Sequence, residues 1–271
     1  MTLRINLFFA VMAMILAGML VSNAAVAADT APQAAIKLFN GKDLNGWYTY
    51  LKDRGRDQDP QKVFTVADGM LRISGEEYGC VTSDKEYENY RLVMEFKWGE
   101  KTWGGRVDKA RDSGLLVHSV GEDGADGGMG MHSIECQMIE GGTGDILVVG
   151  DESETYKATA TVAPEKDGNC YVYQADGQPA TIHSGRINWW GRDPQWQDVK
   201  GFRGAKDVEK PLGEWNRLEC LAEGGTLTVT LNGVVVNKCL EVAPQKGRIQ
   251  IQSEGAEVFV RLVELTPLAK P

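Results

Sequence analysis

Short apolar runs separated by turn residues constrain the fold of this chain more than any other feature. Glycine accounts for 32 of the 271 residues, and polar and apolar residues alternate with period two along most runs. The runs Thr226–Leu231 and Val234–Lys238 flank Asn232-Gly233, a dipeptide that favours the type I′ turn of a β-hairpin. No window of twelve residues shows the 3.6-residue apolar repeat of an amphipathic helix. The sequence therefore predicts an all-β fold in which two antiparallel sheets form a sandwich.

The first 27 residues have the organisation of a secretory signal peptide. Arg4 supplies a positive charge, Leu7–Val21 is the apolar region, and Ala25-Val26-Ala27 matches a small-x-small cleavage site. The apolar region has about 15 residues, fewer than the roughly 20 that span a bilayer, so we expect no stable membrane anchor. Residues 28–35 then form a short linker and residues 36–267 a single β-sandwich domain, exported to the periplasm or beyond the cell.

The negative charge of the chain narrows the range of its ligands. The formal net charge is −9 at pH 7, whereas proteins that bind nucleic acid or anionic membranes need a clustered basic face. We therefore expect no nucleic-acid partner. Separately, we expect no nucleotide cofactor. A neutral ligand fits this charge better.

The cysteine count leaves at least one thiol unpaired, because the chain has five cysteines. Cys220 and Cys239 lie near the ends of adjacent predicted strands, and they are the disulfide pair that we predict. Five buried, reduced cysteines are the alternative, since no spacing rule fixes the pairing.

One long segment, residues 176–210, lacks the strand rhythm of the rest of the chain. Loops of this length within a compact domain are usually functional or disordered. The segment contains Trp189, Trp190, Trp196 and Phe202, and disordered segments are poor in aromatic residues. We predict an ordered loop that packs over one rim of the sandwich.

Charged and polar residues are concentrated in residues 111–145, on two predicted strands with glycine-rich loops. In the second strand, Ser133–Glu140, alternation places Glu135 and Gln137 on one face. A β-bulge near its end would bring Glu140 to the same face. Because buried carboxylates without partners are costly, we interpret this strand as the floor of a polar cleft. A solvated sheet edge without catalysis is the alternative.

The spacing of Glu135, Gln137 and Glu140 resembles the Glu-x-Asp-x-x-Glu strand of the laminarinase and lichenase glycosidases. That jelly-roll sandwich uses its two glutamates as nucleophile and acid/base. Gln137 stands where those enzymes have a central carboxylate, and an uncharged amide there disfavours ordinary double displacement at a glycoside.

Other residues are candidates for the same site. His118 ends the predicted strand Ser113–Ser119, and its imidazole would approach Glu135 if the two polar strands are neighbours. His118 and Glu135 are also the candidates for a divalent metal site, with no His-x-His or His-x-x-x-His spacing to make the metal specific. The predicted substrate-binding residues are Arg111, Gln137, Trp103, Trp189, Trp190 and Asp145.

Six motifs in order along the chain resemble the 3-keto-disaccharide hydrolase family. They cover nearly all of the chain after the predicted signal peptide, so the resemblance extends to the whole domain. The motifs are Leu38–Trp47, Asp112–His118, Glu135–Glu140, Gly213–Asn216, Leu231–Gly233 and the closing strands Gly247–Leu265.

The resemblance implies a concanavalin A-like jelly roll of the lectin and glucanase type that acts on glycosides already oxidised at C3. A 3-keto group acidifies the hydrogen on C2, so a base can form an enediolate that expels the C1 substituent, and water can add afterwards. Our role assignments are His118 or Glu135 as the base, a divalent metal or Arg111 as the enediolate stabiliser, and Glu140 as the acid. Net hydrolysis of the glycosidic bond is the alternative to elimination followed by hydration, and it gives the same products. A non-catalytic carbohydrate-binding module and a conventional glycoside hydrolase are the competing interpretations, and a purely structural surface domain is a third.

Overall fold

The computed structural model describes residues 34–270 of the chain. The predicted signal peptide lies outside this range. Within the range the backbone forms strands and a one-turn 3-10 helix at Gly104–Arg106, with no α-helix. None of the helical structure described is long and apolar enough to cross a membrane.

Nineteen strands make up the described part of the chain. They are β1 (Ile36–Lys37), β2 (Trp47–Leu51), β3 (Gly55–Arg56), β4 (Phe64–Ala67), β5 (Met70–Ile73), β6 (Gly79–Ser83), β7 (Tyr90–Thr102), β8 (Asp112–Val120), β9 (His132–Ile139), β10 (Ile146–Val149), β11 (Lys157–Val162), β12 (Tyr171–Val172), β13 (Gln178–Ile182), β14 (Gly185–Asn188), β15 (Asn216–Glu223), β16 (Thr226–Leu231), β17 (Val234–Ala243), β18 (Arg248–Ser253) and β19 (Ala256–Pro267).

The strands form two sheets. The ten-stranded sheet has the order β13-β11-β17-β16-β15-β7-β19-β5-β4, with β1 paired to β19, and the nine-stranded sheet has the order β12-β14-β10-β9-β8-β18-β6-β2-β3. All pairings are antiparallel except that of β12 with β14. This architecture confirms the predicted two-sheet antiparallel sandwich.

The core lies between the two sheets and explains why the strands alternate in polarity. From the ten-stranded sheet, β7 contributes a row of buried side chains, and β9 contributes another from the nine-stranded sheet. Because successive residues of a strand point to opposite faces, the intervening residues of β9 are directed to the outer face of its sheet. The buried rows are Tyr90, Leu92, Met94, Phe96 and Trp98 on β7 and Ile134, Cys136 and Met138 on β9.

The long segment predicted as a loop without strands contains two of them. Strand β13 pairs with β11 in one sheet, and β14 pairs with β10 in the other. The prediction is therefore wrong for residues 178–188, where short polar strands lack a clear apolar alternation. Beyond them, the Trp196 indole Nε1 donates a hydrogen bond of 2.9 Å to the carbonyl oxygen of Glu140, which ties the following loop to the end of β9.

The predicted disulfide between Cys220 and Cys239 is also wrong, because the two residues lie on β15 and β17, which are not neighbouring strands. Cys220 lies opposite Val229 and Cys239 lies opposite Leu227, both on β16. Strand β16 therefore separates the two cysteines, which places their α-carbons roughly 10 Å apart at the usual strand spacing. A disulfide requires α-carbons within about 7 Å.

Candidate active site

A cleft lies on the outer face of the nine-stranded sheet, over β8, β9, β10, β14 and β18. The cavity has a volume of about 340 Å³, which suits a small ligand. Acidic and amide side chains predominate among its polar lining residues, with one arginine. These polar residues are Asp112, Asp126, Glu135, Gln137, Arg186, Gln252 and Glu254.

Strand register brings the central residues of the cleft together. In β9, Glu135 pairs with Leu116 and Gln137 pairs with Gly114 of β8, and residues paired across antiparallel strands point to the same face. A Cβ placed on residue 114 would lie 2.4 Å from the Glu135 Oε1 atom and 2.4 Å from the Gln252 Oε1 atom. The two oxygens are therefore separated by at most twice that distance, and both occupy the space above Gly114.

The glycine at position 114 is consequently required by the site, which gives a testable prediction. We expect Gly114→Ala to reduce turnover by roughly 10- to 100-fold, because the new methyl group displaces Glu135 and Gln252. Gly105→Ala is the matched control, since a Cβ there has no neighbour within 4 Å. Steady-state kinetics of both variants would check this, and equal activity of the two variants would contradict it.

Burial and mutual repulsion raise the pKa values of the carboxyl groups in the cleft. Burial, followed by the negative charges of Glu254 and Asp112, raises the pKa of Glu135 well above its usual range. Burial and Glu254 likewise raise the pKa of Asp112, although Arg106 lies 3.3 Å from its Oδ2 atom. Burial is also the main cause that raises the pKa of Glu254 to about 7. The cleft therefore holds protons at a pH at which exposed carboxyl groups are ionised.

Several oxygens in this cluster have no hydrogen-bond partner among residues 34–270. They are Oε1 of Glu135, Oδ1 of Asp112 and Oε1 of Gln252, all of them buried. Because buried polar atoms are normally paired, these oxygens are available to a ligand. These oxygens belong to residues of β8, β9 and β18, three neighbouring strands of the nine-stranded sheet. The outer face of this sheet is therefore the best candidate for the functional site.

The raised pKa of Glu254 predicts how stability depends on pH. Between pH 4.5, the ordinary value, and about 7, the folded protein binds a proton at Glu254 that the unfolded chain has lost. The free energy of unfolding therefore falls as pH rises through this window. We expect Glu254→Gln to remove up to about 3 kcal/mol of this dependence, as measured by urea unfolding at pH 4.5 and 8.

The control for that experiment is Glu223→Gln, which changes an exposed residue at the end of β15. We expect this variant to keep the pH dependence of the parent protein. If Glu254→Gln also keeps it, the proton in this window is bound elsewhere.

Glu140 and Arg111, predicted to act on the substrate, form a buried ion pair instead. The Arg111 Nη1 atom lies 2.6 Å from the Glu140 Oε1 atom. The backbone N–H groups of Arg111 and Gly201 donate to Oε2 at 2.9 and 2.8 Å, and the Arg111 Nε atom donates to the Gly99 carbonyl. Strand β9 ends at Ile139 without the predicted bulge, so Glu140 lies in the following turn, where these partners occupy both of its oxygens.

Asp145 is likewise engaged by the protein. Its carboxylate is fully buried and accepts a hydrogen bond of 2.8 Å from the backbone N–H of Trp189. Arg192 and Arg186 form ion pairs with it. Asp145 does not line the cleft; it positions Arg186, which does.

His118 does not approach Glu135, so the predicted contact between them is wrong. A bulge in β8 interrupts the pairing with β9 after Val117, and His118 adopts a positive φ of 54° there. Its ring packs edge-on against Tyr90, 5.6 Å between centroids, and its Nδ1 atom lies 2.9 Å from the Pro244 carbonyl oxygen. Burial lowers the pKa of His118 to about 4.

The metal site predicted from His118 and Glu135 is therefore not formed by that pair. Within residues 34–270, no group of three or more His, Cys, Asp and Glu side chains has the arrangement of a metal site.

The three tryptophans predicted to stack on sugar rings lie in different environments. Trp189 is buried in the core with 1% of its surface exposed. Trp103 donates from Nε1 to the Ser74 carbonyl at 2.9 Å. Trp190 is 40% exposed, and its Nε1 atom donates to Val235 of the other sheet. None of the three lines the cleft.

The principal residues that the sequence analysis missed are Glu254, Gln252, Arg186 and Asp126. A signal for two of them was present, because Gln250, Gln252 and Glu254 alternate along the end of the chain as Glu135 and Gln137 do in β9. That period-two polar row marks an outer face of a strand, and β18 lies directly beside β8.

The two antiparallel sheets, with a cleft of buried carboxyl groups on one outer face, make this chain a jelly-roll β-sandwich protein. The family described as 3-keto-alpha-glucoside-1,2-lyase-like domain matches residues 34–266, and the chain belongs to that family. This confirms the resemblance found in the sequence motifs.

The first of two similar solved structures shows the same fold. A candidate glycosyl hydrolase from Parabacteroides distasonis has 20% sequence identity and a TM-score of 0.50, over 87% of this chain and 94% of that one. The β-glucanase of Bacillus licheniformis has 10% identity and a TM-score of 0.43, over 88% of this chain and 100% of that one. No sequence of a curated protein matches this chain.

Proposed function

We propose that this protein is an exported enzyme that cleaves 3-keto-glycosides by elimination across C1 and C2 of the oxidised sugar. The observation that supports the proposal most directly is the environment of the Glu135 carboxyl group. This group is buried on the floor of the cleft and has an unpartnered oxygen. Membership of a family with this lyase-like description supports the substrate class.

In the proposed first step, Glu135 removes the proton from C2 next to the C3 ketone. The electron pair of the C2–H bond delocalises into the ketone and gives an enediolate. A carboxylate with a raised pKa is a stronger base than an ordinary one, and Glu135 acts as this base in its ionised form. The environment of Glu135 raises its pKa in this direction.

In the second step the enediolate re-forms the ketone and breaks the bond between C1 and the glycosidic oxygen. Glu254 is the proposed acid that donates a proton to this leaving oxygen. Its pKa of about 7 keeps a protonated fraction near neutral pH. The products are the released alcohol or sugar and an unsaturated 3-keto sugar, to which water adds across C1 and C2.

The enediolate needs a positive charge or hydrogen-bond donors, and the cleft provides both. Arg186 lines the cavity with a side chain that is partly exposed. Gln137 and Gln252 lie beside Glu135, and their amide groups are the proposed contacts to sugar hydroxyl groups and to the developing oxyanion.

Ordinary double displacement is less compatible with this site. That mechanism uses two carboxyl groups that flank the scissile bond. Glu140, the second glutamate of the motif, is held by Arg111 and two backbone N–H groups, and Gln137 occupies the central position. The second glutamate is therefore unavailable as nucleophile or acid, whereas elimination needs no paired nucleophile.

Incubating the purified protein with a 3-keto-glucoside and, separately, with its unoxidised parent would test the proposal. We expect release of the aglycone or second sugar from the 3-keto compound alone. Release from the parent would indicate a conventional glycoside hydrolase. Binding without release from either compound at high enzyme concentration would indicate a carbohydrate-binding module.

A divalent cation is the other proposed stabiliser of the enediolate. The unpartnered oxygens of Glu135, Asp112 and Gln252 are donors of the type that magnesium, manganese and calcium prefer. Elemental analysis of the purified protein, with turnover measured before and after chelation, distinguishes a metal from Arg186. Loss of turnover on chelation and recovery on adding the cation would favour the metal.

Export is the proposed role of residues 1–27. Expressing the full chain and sequencing the N-terminus of the exported protein would test this. We expect a new N-terminus near Ala28.

A further inference from the structure

Two cysteines from opposite sheets meet in the core directly behind the cleft. Cys136 lies on β9 between Glu135 and Gln137, and Cys220 lies on β15 in the other sheet. Both are fully buried, and their Sγ atoms are 3.1 Å apart. This distance is shorter than the roughly 3.5–4.0 Å at which even non-bonded carbon atoms pack. The contact is therefore closer than ordinary packing of two thiols.

We propose that Cys136 and Cys220 form a disulfide that joins the two sheets. The proposal does not depend on the reaction that the cleft catalyses. Closing the contact to the bonded distance of about 2.05 Å requires a shift of about 1 Å between the two sulfur atoms, which small rotations about the side-chain bonds supply. The three other cysteines, Cys80, Cys170 and Cys239, have no sulfur partner within the described residues.

The chemistry of the step is thiol–disulfide exchange. The two thiols lose two protons and two electrons, and an oxidant of the disulfide class, such as oxidised glutathione, accepts them and becomes two thiols. Because both cysteines are inaccessible in the folded protein, the exchange takes place before the two sheets close over each other. An oxidising compartment outside the cytoplasm supplies such an oxidant.

The bond would fix the strand that carries the site. It closes a loop of 84 residues that includes all of the chain between β9 and β15. Cys136 points to the core while its two neighbours point to the cleft, so the bond holds the backbone of β9 at the position from which Glu135 and Gln137 project. Reduced protein is expected to have the same fold with a lower melting temperature.

Oxidative refolding of the full chain tests the assignment. The chain is unfolded with reductant, refolded with oxidised and reduced glutathione, alkylated in denaturant and digested without reduction for mass spectrometry. We expect a linked pair of peptides containing Cys136 and Cys220, and alkylation of the other three cysteines. Five alkylated cysteines, or a linked pair that includes Cys239, would overturn the assignment.

Two matched variants separate the bond from a general effect of oxidation. Oxidative refolding should raise the melting temperature of the parent protein by roughly 5–10 °C over protein refolded with reductant. Cys239→Ala, which alters a buried cysteine two strands from Cys220, should keep this difference and the linked peptides. Cys220→Ala should lose both. A difference that persists in Cys220→Ala would show that another pair is responsible.

Discussion

Glu135→Gln is expected to lower the turnover of a 3-keto-glucoside by about 10²- to 10⁴-fold, the usual contribution of a positioned general base. Glutamine keeps the shape of the side chain above Gly114 but cannot accept the C2 proton. The substitution also removes a carboxyl group whose ionised form is disfavoured by burial and by Glu254, so the fold should be preserved. Measurement of kcat and KM, with a circular dichroism spectrum of each protein, checks both parts.

Two comparisons make this result specific. Glu223→Gln, on the exposed end of β15, should retain the activity of the parent protein. Glu135→Gln should retain binding of the 3-keto-glucoside within a few-fold, because most contacts remain. Turnover within tenfold of the parent would refute Glu135 as the base. If the parent protein shows no turnover and Glu135→Gln loses binding of the 3-keto-glucoside, a carbohydrate-binding module would be favoured.

The second large effect is on stability, from Arg111→Ala. We expect a loss of about 3–5 kcal/mol in the free energy of unfolding, because the substitution leaves Glu140 buried without its cation. Arg111 and Glu140 have side chains that are 4% and 8% exposed. Urea denaturation at neutral pH, analysed with the slope as well as the midpoint, measures this loss.

Controls for the ion pair are available on the protein surface and within the pair itself. Arg91, with a side chain 46% exposed, pairs with Glu219, and Arg91→Ala should cost at most about 1 kcal/mol. The double variant Arg111→Met and Glu140→Leu should recover only part of the loss, since the backbone N–H of Gly201 also donates to Glu140. A loss below about 1 kcal/mol for Arg111→Ala would contradict the structural role.

The two glutamates of one sequence motif thus have different environments. Glu135 has a free oxygen in the cleft, whereas the Glu140 oxygens are bound to Arg111 and two backbone N–H groups. Their spacing suggested the glutamate pair of a glycosidase. Placing both on one face required a bulge that β9 does not have. Only the hairpin geometry at the end of β9 distinguishes the two residues, because alternation ceases where the strand ends.

Alternation along single strands was enough to predict the sandwich and the outward direction of Glu135 and Gln137. The motifs along the chain likewise identified the family. These properties are local, since a side chain that follows a polar-apolar repeat has its face fixed by its position in the repeat. The prediction of a loop without strands for residues 176–210 was wrong for a related reason. Strands β13 and β14 are short and polar, so they contain little polar-apolar repeat to detect.

The polar-apolar pattern within a strand did not predict which strands lie beside it in the sheet. Strand β18 lies beside β8 although more than 100 residues separate Gln252 from Gly114, and this pairing brings Gln252 and Glu254 to Glu135. A single bulge turned His118 from the cleft to the Tyr90 ring. Local sequence patterns were sufficient to assign the all-β class, the family and the face on which Glu135 lies. The order of the strands brings the carboxyl groups of the cleft together, and this order is visible only in the folded protein, because period-two alternation selects a face of the sheet and leaves the strand order open.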